Sequence, residues 1–286
     1  MRSNQTPGTT EAKLTKAQRR MLKNEKVRLL REQEAKRKKR NRIILITSSI
    51  IAILLIAFVA FKIVTASSEV AAAKNVNSAY GVYVTKDGKA SAEPKSGVPI
   101  VTIYEDPTCP HCIELHTAMA AAMDKHIAAE DIQFEIRNSG IGPIGQQYIK
   151  QSTWGAMSTF YIATHEPEKY RAYHDALMDQ TSGLYAAISA AASGKGEVPD
   201  VEFLKKTAIA AGVSDNVASD MAAALTRPEW TNYNAKTLEA FRENMKKVGT
   251  PAILLNGKEI DSKTYGGHDS AAIAAWLDKV AAGEAE

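Results

Sequence analysis

Cys109-Pro110-His111-Cys112 contains both cysteines of the 286-residue chain, two residues apart. Two thiols at that spacing can close and reopen a small disulfide, which is the chemistry of thiol–disulfide exchange. The pair sits where an apolar run, Val98 to Tyr104, hands over to a helical pattern. Cys109 therefore falls at a helix N-terminus, where unpaired N–H groups and the helix dipole favour a thiolate. His111 adds an imidazolium or a ring N–H that can stabilise the same anion. Each pKa unit of thiolate stabilisation favours the reduced form by about 1.4 kcal/mol, or roughly 30 mV. The centre is therefore expected to be oxidising. Its disulfide passes to another thiol, with Cys109 as the exposed sulfur and Cys112 as the less accessible partner one turn into the helix. A purely structural disulfide fits poorly, because a ring spanning four residues removes little chain entropy.

The compartment follows from charge and hydropathy. Residues 1–42 hold 15 Lys and Arg against 4 Glu, so within a total of +4 the remainder carries −7. Directly after Arg42, Ile43 to Phe61 is a run of 19 residues without a charge, about 28 Å long at the helical rise and enough to cross a bilayer. The basic cluster Lys36 to Arg42 precedes it and Lys62 alone follows closely. The positive-inside rule then places the N-terminus in the cytoplasm and the rest outside, where disulfides persist. A cleaved leader cut near Val64-Thr65-Ala66 fits less well, since a basic region of 42 residues is long for that role. The tail can also attract anionic lipid heads. It lacks aromatic residues and any nucleic-acid module, so no nucleic-acid partner is expected.

The elements that must position the cysteines are legible around them. Tyr80 to Thr85 alternates and leads to Asp87-Gly88, and Ala252 to Leu255 runs through Asn256-Gly257 into Lys258-Glu259-Ile260. Both read as hairpins. Between them, Pro99 to Tyr104 reads as a buried strand, Cys109 to about Ala129 as a helix with a Leu115, Met119, Met123 stripe, and Ile132 to Ile136 as another strand. From about 143 to 226 only helical patterns and loops appear: Gln146 to Thr164, Pro167 to Met178, Asp200 to Ala211 and Ser214 to Leu225. Glu229 to Val248 carries a core-facing stripe from Trp230 to Val248, and Ser270 to Ala282 gives a last helix.

Gly249-Thr250-Pro251 precedes the late strand. A proline there can begin a strand without a ladder N–H, either as an ordinary trans residue or as a cis bond that turns tightly and exposes the backbone of Thr250.

Tyr104-Glu105-Asp106 before Cys-Pro-His-Cys, Tyr173-His174-Asp175-Ala176-Leu177, and Val248-Gly249-Thr250-Pro251 followed by Leu255-Asn256-Gly257 together resemble the DsbA-like thiol oxidoreductases of the thioredoxin superfamily. The similarity extends to their membrane-anchored actinobacterial forms and covers about residues 78–282. It implies an α/β, thioredoxin-like fold with an inserted helical subdomain, preceded by one transmembrane helix. The resulting layout is a basic cytoplasmic tail (1–42), an anchor (43–65), a linker (66–77), the first part of the thioredoxin-like domain (78–142), the helical insertion (143–228) and the second part (229–286).

The resemblance also implies roles. Cys109 forms the mixed disulfide, His111 destabilises the oxidised state, and Thr250, before a cis Pro251, contacts the client backbone. One position departs from the pattern. The buried acid often found on the active-site strand, six residues before the first cysteine, is Ile103 here. Glu105, two residues on, can face the same side by strand alternation and is the candidate substitute for proton transfer.

Other motifs lead elsewhere. Gly140-Ile-Gly-Pro-Ile-Gly145 fits a dinucleotide fingerprint, but Pro143 removes a phosphate-facing N–H and no alternating strand–helix series follows, so a hinge is expected. Cys109, Cys112 and His116 lack a fourth zinc ligand, and Ile113 stands where haem attachment needs histidine. His174 and Asp175 have no nucleophile placed with them and read as packing or capping residues, while His126, His165 and His268 read as surface residues.

The expectation is a monomeric, membrane-tethered thiol oxidase acting on unfolded secreted proteins. It needs no metal or organic cofactor, and a membrane partner of the DsbB or vitamin K epoxide reductase type reoxidises it. Reduction or isomerisation at the same centre, and a non-catalytic tethered chaperone, are the alternatives.

Overall fold

A computed structural model describes residues 16–68, 70–245 and 247–285; the tail before Lys16 lies outside them. The chain divides into two compact units, Met1–Val64 and Thr65–Glu286. The described part of the first is helix α1 (Lys16–Ser68), 53 residues that include the apolar run and continue across the division. Nothing from Lys16 to Ser68 is glycine or proline, and Leu, Ala, Lys, Arg, Gln and Glu are strong helix formers. Within the apolar run the hydroxyls are satisfied internally: Thr47 donates to the Ile43 carbonyl at 2.9 Å and Ser49 to that of Leu45 at 2.8 Å. Apolar side chains from Ile43 to Phe58 stand exposed around it, and by length and composition this helix can cross a membrane.

The second unit is built on a six-stranded sheet with strand order β2-β1-β4-β3-β5-β6. The strands are β1 (Val82–Val84), β2 (Ala90–Ser91), β3 (Ile100–Glu105), β4 (Gln133–Asn138), β5 (Ala252–Leu255) and β6 (Lys258–Ile260). Central β3 runs parallel to β4, in register from Ile100 opposite Gln133 to Glu105 opposite Asn138, and antiparallel to β5. Helix α2 (Pro110–Ala129) connects β3 to β4, as a parallel pair requires. Asn256 and Gly257, with φ of 50° and 82°, make the two-residue turn between β5 and β6 that their sequence predicts. This is the thioredoxin arrangement of strand, helix, strand and closing hairpin.

Among the described residues six α-helices separate β4 from β5 in the chain: α3 (Ile149–His165), α4 (Tyr170–Leu177), α5 (Leu184–Ala192), α6 (Val201–Ala210), α7 (Asp215–Leu225) and α8 (Pro228–Asn244). α3 packs against α4, α7 and α8, and its buried Met157, Phe160 and Ile162 join the same core as Val101 and Phe134 of the sheet. After the hairpin, α9 (Ser262–Tyr265) and α10 (Ser270–Ala282) close the chain, and α10 lies against α2. Asp200, Asp261 and Asp269 cap the helices that follow them.

Three expectations change. The helix runs to Ser68, three residues into the segment read as linker, because small residues there do not end it. From Val70 to Asn77 that segment is docked: Ala71 N–H donates to the Glu229 carbonyl at 3.1 Å and the Asn75 amide to that of Ala163 at 2.8 Å, with Ala71, Ala73 and Val76 against the core. Helix α8 ends at Asn244, so Val248 stands 36% exposed rather than on the buried stripe.

A buried dithiol above a carboxylate and imidazole pair

Strand β3 ends at Glu105 and the chain turns through Asp106, Pro107 and Thr108 into α2. The turn is held by Asp106, which is fully buried. One carboxylate oxygen accepts from the Thr108 N–H (2.8 Å) and hydroxyl (2.7 Å). The other accepts from the Ser152 hydroxyl (2.6 Å) and the N–H groups of Ile141 (2.8 Å) and Gly142 (3.2 Å). Burial raises its pKa, and these donors oppose the rise. The Gly140 to Gly145 loop, expected as a hinge, is thus pinned to the redox turn. A Cβ on Gly140 would come within 2.5 Å of the Thr153 Cα.

Cys109 is the N-cap residue of α2, with extended backbone (φ −84°, ψ 118°), and Pro110 occupies the first turn, where its missing N–H is not needed. Both cysteines are free, so this is the geometry of the dithiol. Cys109 is 2% exposed and Cys112 1%. The expected exposed sulfur is instead covered, because Ile113, Met178 and Tyr185 pack around the pair. The Thr250–Pro251 bond is cis, and the Cys109 thiol donates to the Thr250 carbonyl at 3.4 Å.

The two thiols are electrostatically unequal. A hydrogen bond from Cys112 lowers the Cys109 pKa to about 7, against burial that raises it, with further help from Thr250 and opposition from the Asp106 charge. Burial pushes the Cys112 thiol well above its ordinary range, and its contact with Cys109 pushes the same way. His111 is exposed. Its Nδ1 lies 3.1 Å from the Glu114 carboxylate, which also meets His268 at 3.3 Å, and the two rings stack with centroids 5.7 Å apart. Among the described residues His111 pairs with Glu114 rather than with a cysteine.

Beneath the dithiol, Ile103, Glu105, Cys112, His116 and Pro251 line one narrow cavity of about 10 Å³, roughly the space a single water needs. Glu105 and Ile103 therefore do face the same side. Glu105 is 3% exposed and accepts a hydrogen bond from His174 Nε2. His174, expected as a packing or capping residue, is the buried partner of the active-site acid. Burial works against its charge, but Glu105 and Asp175 overcome it and hold the imidazolium to about 9. His116 is driven the other way, to about 4, by burial first and then by His174. The signal for His174 was available: Tyr170, Tyr173, His174 and Leu177 form the buried stripe of α4, and a histidine on such a stripe needs a polar partner.

Among the described residues, the groups whose donor atoms could converge on an ion are Glu105 with His116 and His174, and His111 with Glu114 and His268. Neither includes a cysteine. In each, carboxylate and imidazole already bond one another, and both are hydrogen-bonded networks. His126, expected at the surface, is buried between Asp131 (2.9 Å) and Asp278 (3.2 Å).

Comparison with known proteins agrees with this architecture. A thiol-disulfide oxidoreductase of Actinomyces oris, MdbA, superposes with a TM-score of 0.56 at 17% identity, covering 76% of this chain and 99% of its own. BdbD of Bacillus subtilis in its oxidised form superposes with a TM-score of 0.50 at 16% identity, covering 66% and 90%. These similarities support the fold. No curated protein matches the sequence. The family model described as Thioredoxin matches residues 90–278, about two thirds of the chain and the whole of the site just described, and the chain therefore belongs to the thioredoxin family.

Proposed function

We propose that this protein is a DsbA-like thiol oxidase, tethered by α1 with its catalytic unit outside the membrane, that donates the Cys109–Cys112 disulfide to thiols of secreted polypeptides. The observation that carries this reading is the placement of the dithiol: Cys109 caps α2 beside the Thr250 carbonyl and the cis Pro251, with its thiol lowered from the ordinary range and that of Cys112 raised. A stabilised Cys109 thiolate is a good leaving group and favours the reduced centre, which makes the disulfide a donor.

In the reaction a client thiolate attacks Cys109 Sγ and the disulfide breaks. Cys112 Sγ leaves as a thiolate and takes a proton, for which Glu105 is the candidate relay. A second client thiolate then attacks the client sulfur of the mixed disulfide and expels the Cys109 thiolate. The client has lost two electrons and the centre has gained them. The Thr250 carbonyl, beside Cys109, is suited to pair with the client backbone. No organic cofactor enters. A membrane partner of the DsbB or vitamin K epoxide reductase type takes the electrons back, in keeping with the basic tail and apolar helix that favour an extracytoplasmic site.

Redox equilibration of the full chain in detergent against glutathione tests the direction. A potential well above the roughly −270 mV of thioredoxin, toward the roughly −120 mV of DsbA, is expected. A potential at or below thioredoxin's would favour a reductase and overturn the oxidase reading.

A further inference from the structure

Every turn of a disulfide donor moves a proton at Cys112, yet this sulfur is 1% exposed and needs a route to solvent. Its cavity is also lined by Glu105 and His116. From Glu105 the network continues: His174 Nε2 bonds Glu105, and His174 Nδ1 lies 3.4 Å from Asp175 Oδ1. The Asp175 side chain is 39% exposed. An imidazole with one carboxylate on each nitrogen can release a proton at one end and take one up at the other. We propose that His174 is the proton-transfer residue linking the redox centre to solvent, along the path Cys112, one cavity water, Glu105, His174, Asp175. This inference rests on the oxidase reading and supplies its missing proton pathway.

His116 is the competing route, since it lines the same cavity and its Nε2 is 3.4 Å from the same Asp175 oxygen. At neutral pH only one of the two rings carries a proton to give: His174 is held to about 9 and His116 falls to about 4. The charged and titratable groups around His174 are Glu105 from β3, His116 from α2, and Tyr170, Arg171 and Asp175 from its own helix. Around Cys112 they are Cys109, Asp106 and, more distantly, Tyr265. Arg171 holds Asp175 at 2.6 Å and reaches Asp124 at 3.1 Å, which fixes the outer end of the path. During donation the proton held by His174 passes through Glu105 and the water to the leaving Cys112 thiolate, and His174 recovers one from solvent at the Asp175 side. During reoxidation the Cys112 thiol loses its proton along the same groups in reverse.

The full chain in detergent, reduced and mixed with oxidised glutathione, separates the two halves of the reaction. Rapid quenching and mass analysis give the rate at which Cys109 acquires glutathione and the rate at which Cys112 displaces it. Displacement forms the Cys109–Cys112 bond, releases glutathione as its thiolate and sends the Cys112 proton down the path. His174→Gln is expected to slow displacement relative to adduct formation by about tenfold or more between pH 6 and 8 and to alter its pH profile. Asp175→Asn, at the half-exposed end, is expected to slow it by about threefold. A ratio and pH profile in His174→Gln equal to wild type, or a slowdown confined to His116→Gln, overturns the proposal. Should His174→Gln fail to fold, an unchanged ratio and profile in Asp175→Asn overturns it instead. A reduction potential at or below thioredoxin's overturns the oxidase reading itself, and this inference with it, whatever the ratio.

Discussion

His174 and Glu105 lie 69 residues apart in sequence and are joined by a buried hydrogen bond under the redox centre. Glu105 keeps its place on the strand beside the cysteines, and His174 reaches it from α4. Without His174 the buried Glu105 carboxylate would lose its hydrogen-bond donor in the core.

Glu105→Gln removes the carboxylate that holds the His174 proton. His174 then deprotonates at lower pH, and the upper limb of the pH–rate profile for peptide-thiol oxidation moves downward. The stability of the oxidised chain should change in parallel. A raised histidine pKa contributes stability that is complete below the unfolded value near 6.5 and is lost as pH rises through about 9. Urea unfolding of the oxidised wild type should therefore show declining stability over that window, and Glu105→Gln should flatten it. An unchanged rate profile would remove Glu105 from the mechanism.

Thiolate absorbance near 240 nm in the reduced chain should titrate with a midpoint near 7 for Cys109, with Cys112 contributing only far above it. The sign is opposite to that of histidine. A depressed thiol pKa stabilises the reduced fold above the unfolded value of about 8.5, and that contribution is lost as pH falls through about 7. Thermal unfolding of reduced against oxidised chain between pH 6 and 8.5 checks it. Cys112→Ala should raise the midpoint, because the Cys112 hydrogen bond is the largest influence lowering it.

Asp106→Ala should destabilise the fold by about 3 kcal/mol, since several buried donors lose their acceptor. It should also drop the Cys109 midpoint below about 7, because the Asp106 charge opposes the thiolate. Denaturant unfolding and the same absorbance titration read the two effects separately.

The chain should remain with the membrane after an alkaline carbonate wash, and replacing Ile51 and Leu55 with Asp should release it. Burying two charged residues at a helix centre is unfavourable by roughly 2.5–3.5 kcal/mol each. Protease added outside intact cells stripped of their wall should cut residues beyond Ser68 and spare the tail. Protection of the catalytic unit would reverse the topology.

Much of the frame was readable because its signals are local. Asn256-Gly257 sets a turn, Pro110 opens a helix, and the alternation around Ile103 marks a strand. The misread elements depend on distant partners. Leu184–Ala192 buries only Leu184 and Ile188 amid alanines, so α5 showed no stripe. Residues 70–77 have a linker's composition but dock through backbone hydrogen bonds that small side chains permit. Cys109 stands where an exposed sulfur is expected, and Met178 and Tyr185, about 70 residues on, help cover it. His174 was visible as an oddity on an apolar stripe, but its partner Glu105 was not.

The carboxylate of Asp106 gathers the redox turn, the glycine loop and Ser152 into one knot. The tetrapeptide is therefore not a portable cassette. Its sulfur geometry is written partly by residues far along the chain, from Ser152 through Asp106 to Thr250, 141 positions from Cys109, and transplanting Cys-Pro-His-Cys alone into another scaffold would carry over the letters without the shape that gives them meaning.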